Sequence, residues 1–380
     1  MNTLSGISVN IVKVDFFSFS YAPSDLKEKW RIEIQKVIDS GTLIGGEHLE
    51  SFESAFAKFT KSEIAIGVSN GLDGITLALR GLGIGAGDIV AVPAHTFIAT
   101  WTAVLAVGAK PVGVDVDEDG LIDLEKLGEI KERIKAVIPV HMHGAPVNML
   151  ALNNLCKEIQ KSDEIFLIED ASQAHGALNK DGTNLGTYSH AVVYSLYPTK
   201  NLGALGDAGI ITTNDRSLGK KIRTMANYGS RQRNKYIHEI IGFNNRLDPI
   251  QASVLEANLQ LLPTWNSARK YLSDFYISEL ANSIEILQET RGDSVRHHFC
   301  ILHKNRDDLL HYLRERGIGT DIHYPRLAAN EIEILTGQDK KNYPVAERIT
   351  NSTLSLPISQ WHSEMQISYV VSQMLTWLKA

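Results

Sequence analysis

From about residue 24 to 60 the apolar positions recur at helical spacing. "SDLKEKWRIEIQKVIDSG" predicts a helix that stops at Gly41, and "GGEHLESFESAFAKFTK" a second one with Leu49, Phe52, Phe56 and Phe59 on one face. The period then changes. "EIAIGVSNG" reads as a short strand ending in turn residues, followed by the helix "DGITLALRGL". "DIVAVPAH" is a strand, "TFIATWTAVLAVG" a helix and "KPVGVDVD" a strand again. "KAVIPVHMHG", "IFLIED" and "AVVYSLY" continue as short Val/Ile/Leu-rich runs, with helical segments such as "MLALNNLCKEIQK" between some of them. Short apolar strands alternating with helices predict an α/β layer fold around a mainly parallel sheet. In such sheets ligands bind beyond the carboxyl ends of the strands, so the polar residues there are the first place to look for chemistry.

After about residue 260 the texture changes. "PIQASVLEANLQLLPTWNSARKYLSDFYISELA" is a long helical stretch interrupted at Pro263, and "SIEILQE", "HHFCILH", "RDDLLHYLRERG" and "IGTDIHYP" predict an α+β lobe. The expected division is a large lobe over 25–260 and a small one over 261–380, with residues 1–24 packed on the latter. The boundary is helical, which favours two lobes closing on one site.

Composition narrows the function classes. The 380 residues are 43% hydrophobic and 22% charged with a net charge of −6, an ordinary globular balance without a nucleic-acid footprint. Two cysteines far apart, Cys156 and Cys300, fit neither a disulfide framework nor a cysteine zinc site. The amino terminus lacks a signal-peptide pattern, and no apolar run is long enough to span a bilayer. The chain therefore reads as a cytoplasmic, enzyme-sized protein.

Four segments carry candidate chemistry. "VSNGLDG" (68–74) stands at a strand-to-helix junction, where free N–H groups and the helix dipole suit a phosphate; the plain alternative is a capped turn. "IEDASQAHGA" (168–177) puts Asp170 at the end of an apolar strand, either as a helix cap or as the carboxylate that keeps a heteroaromatic nitrogen protonated. "SLYPTKNLGALGDAG" (195–209) holds Lys200 among small and apolar residues. It lacks the P-loop order, but an amine with a lowered pKa suits a Schiff base. "AHTFIATW" (94–101) offers Phe97 to a flat ring or to the core. A competing metal-dependent reading uses His95, His141, His143 and His175, with "HMH" placing two histidines on one side of a strand. "GLGIGAG" (81–87) follows a helix rather than a strand and is a turn, not a dinucleotide fingerprint.

In order, "SNGLDGITLAL", "VPAHTFIATW", "GAKPVGVDVD", "PVHMHG", "IEDASQAHGA", "SLYPTKNLGALGDAG", "GFNNRLDPIQAS" and "GIGTDIHYP" resemble the DegT/DnrJ/EryC1/StrS family of nucleotide-sugar aminotransferases. The likeness runs from about residue 25 to the carboxyl terminus. It implies the fold-type I, aspartate-aminotransferase-like three-layer sandwich, with pyridoxal 5'-phosphate as cofactor and L-glutamate as amino donor. Lys200 would then be the Schiff-base lysine and proton-transfer base. Asp170 would pair with the pyridinium nitrogen, Gln173 would bond the phenolic oxygen and Phe97 would stack on the ring. Gly71, Leu72 and Ser195 would hold the phosphate, with Asn244 reaching in from the other subunit of a homodimer. His323 and Tyr324, with Tyr228 and His175, would lie on the nucleotide-sugar side. Two departures stand out: Leu72 occupies a position where many members have threonine, and "HYPRLAANEI" lacks a second histidine. "NGLD" with "HTFIATW" looks most like members acting at C-3 of dTDP-3-oxo-6-deoxyhexoses rather than at C-4. Asp207 receives no catalytic role, only local capping or a salt bridge.

Overall fold

The computed structural model describes residues 13–159, 164–230, 236–338 and 340–379. Seven strands form the central sheet: β1 (Ile64–Val68), β2 (Ile89–Pro93), β3 (Lys110–Val114), β4 (Ala136–Val137), β5 (Phe166–Asp170), β6 (Ala191–Ser195) and β7 (Gly209–Thr213). Their order is β1-β7-β6-β5-β4-β2-β3, and β7 alone runs antiparallel, to both of its neighbours. All the pairings from β3 to β6 are parallel. The sequence therefore gives the right sheet class, although β7 sits in "GIITT", a stretch the strand reading leaves unassigned.

The side-chain period of two sorts each strand between two apolar layers. In β6, Val193 faces a core with Ile75, Leu79 and Trp101, whereas Val192 and Tyr194 face Phe52, Phe56 and Leu255. Helices Gly71–Gly81 and Ile98–Ala106 thus cover one face, and helices Glu47–Thr60 and Pro249–Leu259 the other. The expected face of Glu47–Thr60 is present, with Leu49, Phe52 and Phe56 buried and Phe59 partly so. The first helix, Ser24–Ser40, ends on Gly41 at φ +67°, a left-handed conformation that glycine adopts without a Cβ penalty.

The long helical stretch breaks between Leu259 and Leu262, and Pro263 lies in the first turn of the next helix, Leu262–Leu280. Its missing N–H is one the helix start leaves unpaired in any case. Beyond it, β8 (Glu285–Ile286), β9 (Phe299–Leu302) and β10 (Thr353–Leu356) form an antiparallel sheet in the order β10-β9-β8. Its apolar face packs Phe299, Ile301, Leu354 and Leu356 against Leu272, Tyr276 and Leu313. Val14 belongs to the same cluster and pairs with Ile318. Residues 1–12, expected to pack there too, lie outside the described residues.

Candidate active site

The carboxyl edge of the parallel strands collects the predicted chemistry. Ser69 and Asn70 follow β1, His95 to Phe97 follow β2, Asp170 closes β5 and Ser195 closes β6. Helix Gly71–Gly81 starts there. The Asn70 side chain caps it by accepting from the Asp73 N–H at 2.9 Å. The Asp73 carboxylate turns back onto Asn70 Nδ2, at 2.8 Å, and onto the Ser69 hydroxyl. The amides of Gly71 and Leu72 consequently have no acceptor among the described residues, the arrangement that receives an anion at a helix start.

Glycine is required on this edge by close approach. A Cβ at Gly71 would stand 3.0 Å from Ser195 Cβ and 3.2 Å from Ser172 Oγ. A Cβ at Gly209 would meet the Asn70 carbonyl group at 2.6 Å. Two free amides and two hydroxyls, from Ser172 and Ser195, therefore converge beside Gly71. Nothing in the sequence around Ser172 singles it out. It supplies a hydroxyl on the edge where Leu72 has none.

Asp170 is buried. Its Oδ2 accepts from Thr100 Oγ1 at 2.9 Å and its Oδ1 from the Ser172 N–H at 3.1 Å. Thr100, a helix residue 70 positions away, is a second partner that spacing could not reveal. Gln173 is buried too: Oε1 accepts from the His143 N–H at 2.6 Å and Nε2 donates to Tyr324 Oη at 3.0 Å. Tyr324 stands 5.5 Å from Phe97, centroid to centroid, and the Phe97 ring is 55% exposed.

Lys200 is half-buried, and its Nζ makes no hydrogen bond or ion pair among the described residues. Burial holds its pKa down to about 8, with the nearby charge of Asp170 opposing the shift. At pH 7 roughly one amine in ten is then neutral, several hundred times the fraction of an ordinary lysine. Imine formation between apoprotein and an aromatic aldehyde is therefore expected to accelerate as pH rises from 6 to 8 and to level off above 8. A rate still climbing steeply at pH 10 would contradict a desolvated Lys200.

The other predicted residues divide. His175 is buried beneath Ser195, with Nε2 2.8 Å from the Ser195 carbonyl and its pKa pushed down to about 3 by burial and then by the charge of Lys200. His323 places Nδ1 2.9 Å from Ser355 Oγ and stacks on His298 at 3.8 Å. Tyr228 and Asn244 are exposed on a separate segment, where Asn244 bridges Asn227 and Tyr228 lies 5.4 Å from the Arg246 guanidinium. Asp207 is exposed and makes no ion pair or capping bond among the described residues, so its expected local role is not realised there.

The metal-dependent reading fails on geometry. "HMH" is a turn, not a strand, with His143 at φ +57°. His141 Nε2 is 2.8 Å from Glu169 Oε2, and its Nδ1 accepts from the Val147 N–H. His143 faces away to His298. Among the described residues no three His, Cys, Asp or Glu side chains are placed to share an ion.

Residues 24–375 match the DegT/DnrJ/EryC1/StrS aminotransferase family. The chain belongs to that family. A similar family member is the dTDP-3-amino-3,4,6-trideoxy-alpha-D-glucose transaminase of Streptomyces venezuelae, 40% identical over 372 residues that cover 96% of each chain. Among solved structures, S. venezuelae DesV in complex with a ketimine intermediate superposes with a TM-score of 0.91 at 38% identity, covering 97% of this chain and 99% of that one. NtdA from Bacillus subtilis with its bound cofactor PMP gives 0.90 at 28% identity, covering 98% and 87%. The aminotransferase family and its fold, implied by the order of the motifs, are thus established. The edge also fits a pyridoxal phosphate by its own chemistry: free amides and hydroxyls converge beside Gly71, a carboxylate is buried at Asp170, and Lys200 is unpaired.

Proposed function

We propose that the protein moves an amino group from L-glutamate to the C-3 keto group of a nucleotide-linked deoxysugar, using pyridoxal phosphate. The observation that carries this reading is a desolvated Lys200 beside Asp170, on the same strand edge as a pair of helix-start amides with no acceptor among the described residues. The kinship with a transaminase named for a 3-amino sugar supports C-3 over C-4.

When bound, pyridoxal phosphate supplies a conjugated ring that takes up the electron pair left behind as a proton departs from the donor's α-carbon. The chain's residues arrange that event. The Gly71 and Leu72 amides, with Ser172 and Ser195, would hold the phosphate. Asp170, fixed by Thr100 and Ser172, would keep the ring nitrogen protonated, and Gln173 would offer an N–H to the phenolic oxygen. Lys200 Nζ would anchor the aldehyde carbon, then accept the donor's α-proton when released and return a proton across the conjugated system. Phe97 would cover one ring face, and His323 and Tyr324 would border the sugar.

The deciding assay converts the protein to its pyridoxamine form with glutamate and offers 3-keto and 4-keto dTDP- and UDP-sugars. The visible band should return with the dTDP-3-keto sugar. Return with 4-keto sugars alone would overturn the C-3 assignment.

The proposal includes a homodimer in the cytoplasm, where glutamate and nucleotide sugars are available, and two lobes meeting near residue 260. Asn244 is exposed in one chain, near exposed apolar side chains such as Ile237 and Ile241, which supports its reaching a partner's phosphate. Mixing inactive Lys200→Ala and impaired Asn244→Ala chains should restore activity, because hybrid dimers contain one site without either lesion. No gain on mixing would argue against shared sites.

A further inference from the structure

His143 is the point from which Gln173 is oriented. Its N–H, at 2.6 Å, requires an acceptor, so the Gln173 carbonyl oxygen must face it and the amide nitrogen must face outward. One N–H of that nitrogen goes to Tyr324, leaving the second to donate elsewhere. The orientation depends on an unfavourable backbone conformation, since His143 has φ +57° and ψ 9°, the left-handed region that non-glycine residues rarely occupy. A side-chain pair and a backbone bond hold it there. His143 Nδ1 is 3.1 Å from His298 Nδ1, across 155 residues of sequence, and the His143 carbonyl accepts from the His297 N–H at 3.0 Å.

Both imidazoles are kept neutral by burial, so one Nδ1 donates and the other accepts. His143 Nε2 is buried without a partner. A buried N–H left unpaired is costlier than a bare acceptor. His143 therefore donates from Nδ1 and His298 accepts. His298 is held in turn by its stacking on His323, which is tied to Ser355 and through it to Cys300 Sγ at 3.2 Å.

We propose that the His143–His298 pair is a positioning device: it fixes the left-handed His143 backbone, which makes Gln173 a hydrogen-bond donor toward the cofactor's phenolic oxygen. The inference rests on the role of Gln173 given above. Neither histidine is a catalytic residue in it.

A donor on the phenolic oxygen favours its deprotonated form, so weakening that bond raises the pH at which the visible band of the loaded protein titrates. His298→Leu is expected to raise that midpoint by roughly one pH unit, and His298→Ala serves if the leucine variant does not fold. His298→Asn, which keeps an acceptor near Nδ1, should stay close to the parent. Gln173→Ala should shift the midpoint at least as far, and His298→Leu should add nothing in the Gln173→Ala background. A shift in Gln173→Ala but not in His298→Leu or His298→Ala would overturn the positioning role alone, as would a full additional shift in the double variant. No shift in Gln173→Ala would remove the role of Gln173 itself, and the inference with it.

Discussion

Lys200→Ala should lower kcat for transamination by about 10⁴-fold, because under the proposed roles one change removes both the anchoring nitrogen and the base. The cradle beside Gly71 and the Asp170 carboxylate stay intact, so the variant should still bind pyridoxal phosphate, but without a borohydride-reducible bond to the chain. Small primary amines added to the assay should recover part of the lost rate, since they can occupy the space left by the lysine stem and accept the proton. The sign of the pH effect follows from the same residue. Burial lowers the pKa to about 8, so the neutral, competent amine dominates above pH 8 and is lost as pH falls below it. A variant keeping a tenth of the parental kcat without added amine would refute Lys200 as the base.

Asp170→Asn should cost about 10³-fold in the donor half-reaction, a barrier increase of about 4 kcal/mol. In the role proposed for Asp170, the amide could not keep the cofactor's ring nitrogen protonated as the carboxylate would. It also cannot accept simultaneously from Thr100 Oγ1 and the Ser172 N–H as the carboxylate does, because one of its two polar atoms is a donor. Single-turnover absorbance with glutamate reads the loss directly, and KM for glutamate should change far less than kcat. An equal fall in both half-reaction rate and donor affinity would point instead to a misfolded strand end.

The sheet and the cofactor edge were legible because they are local. β1, β2, β5 and β6 are apolar runs that end in polar residues, and the parallel architecture places those ends together. Lys200, Asp170, Gln173 and the Gly71 turn each sit within one such run. The residues that support them were not legible. Thr100 reaches Asp170 from another helix, and His298 reaches His143 across 155 residues of sequence, so neither pairing leaves a trace in spacing. "HMH" misleads for a related reason. Alternation suggests a strand, but the backbone turns at His143 because distant partners, His297 and His298, hold it there. β7 is not legible because "GIITT" follows a glycine-rich turn, and its antiparallel direction has no signature in its own residues. Asp207 shows the converse, being seven residues from Lys200 yet exposed to solvent.

A charge buried outside these motifs bears on what the site attracts. Arg269, in helix Leu262–Leu280, is buried and donates to the carbonyls of Arg296, His297 and Ile358 and to Gln360 Oε1. These are dipoles, not carboxylates, so they satisfy its hydrogen bonds without cancelling its charge. Its influence reaches His175 and His297, which also feel Lys200. Under the proposed reading, this uncancelled positive charge stands beside the histidines that border the site for a phosphate and anionic substrates, in a chain of net charge −6. Because its source is buried, that influence should be screened less by salt than the pull of surface lysines.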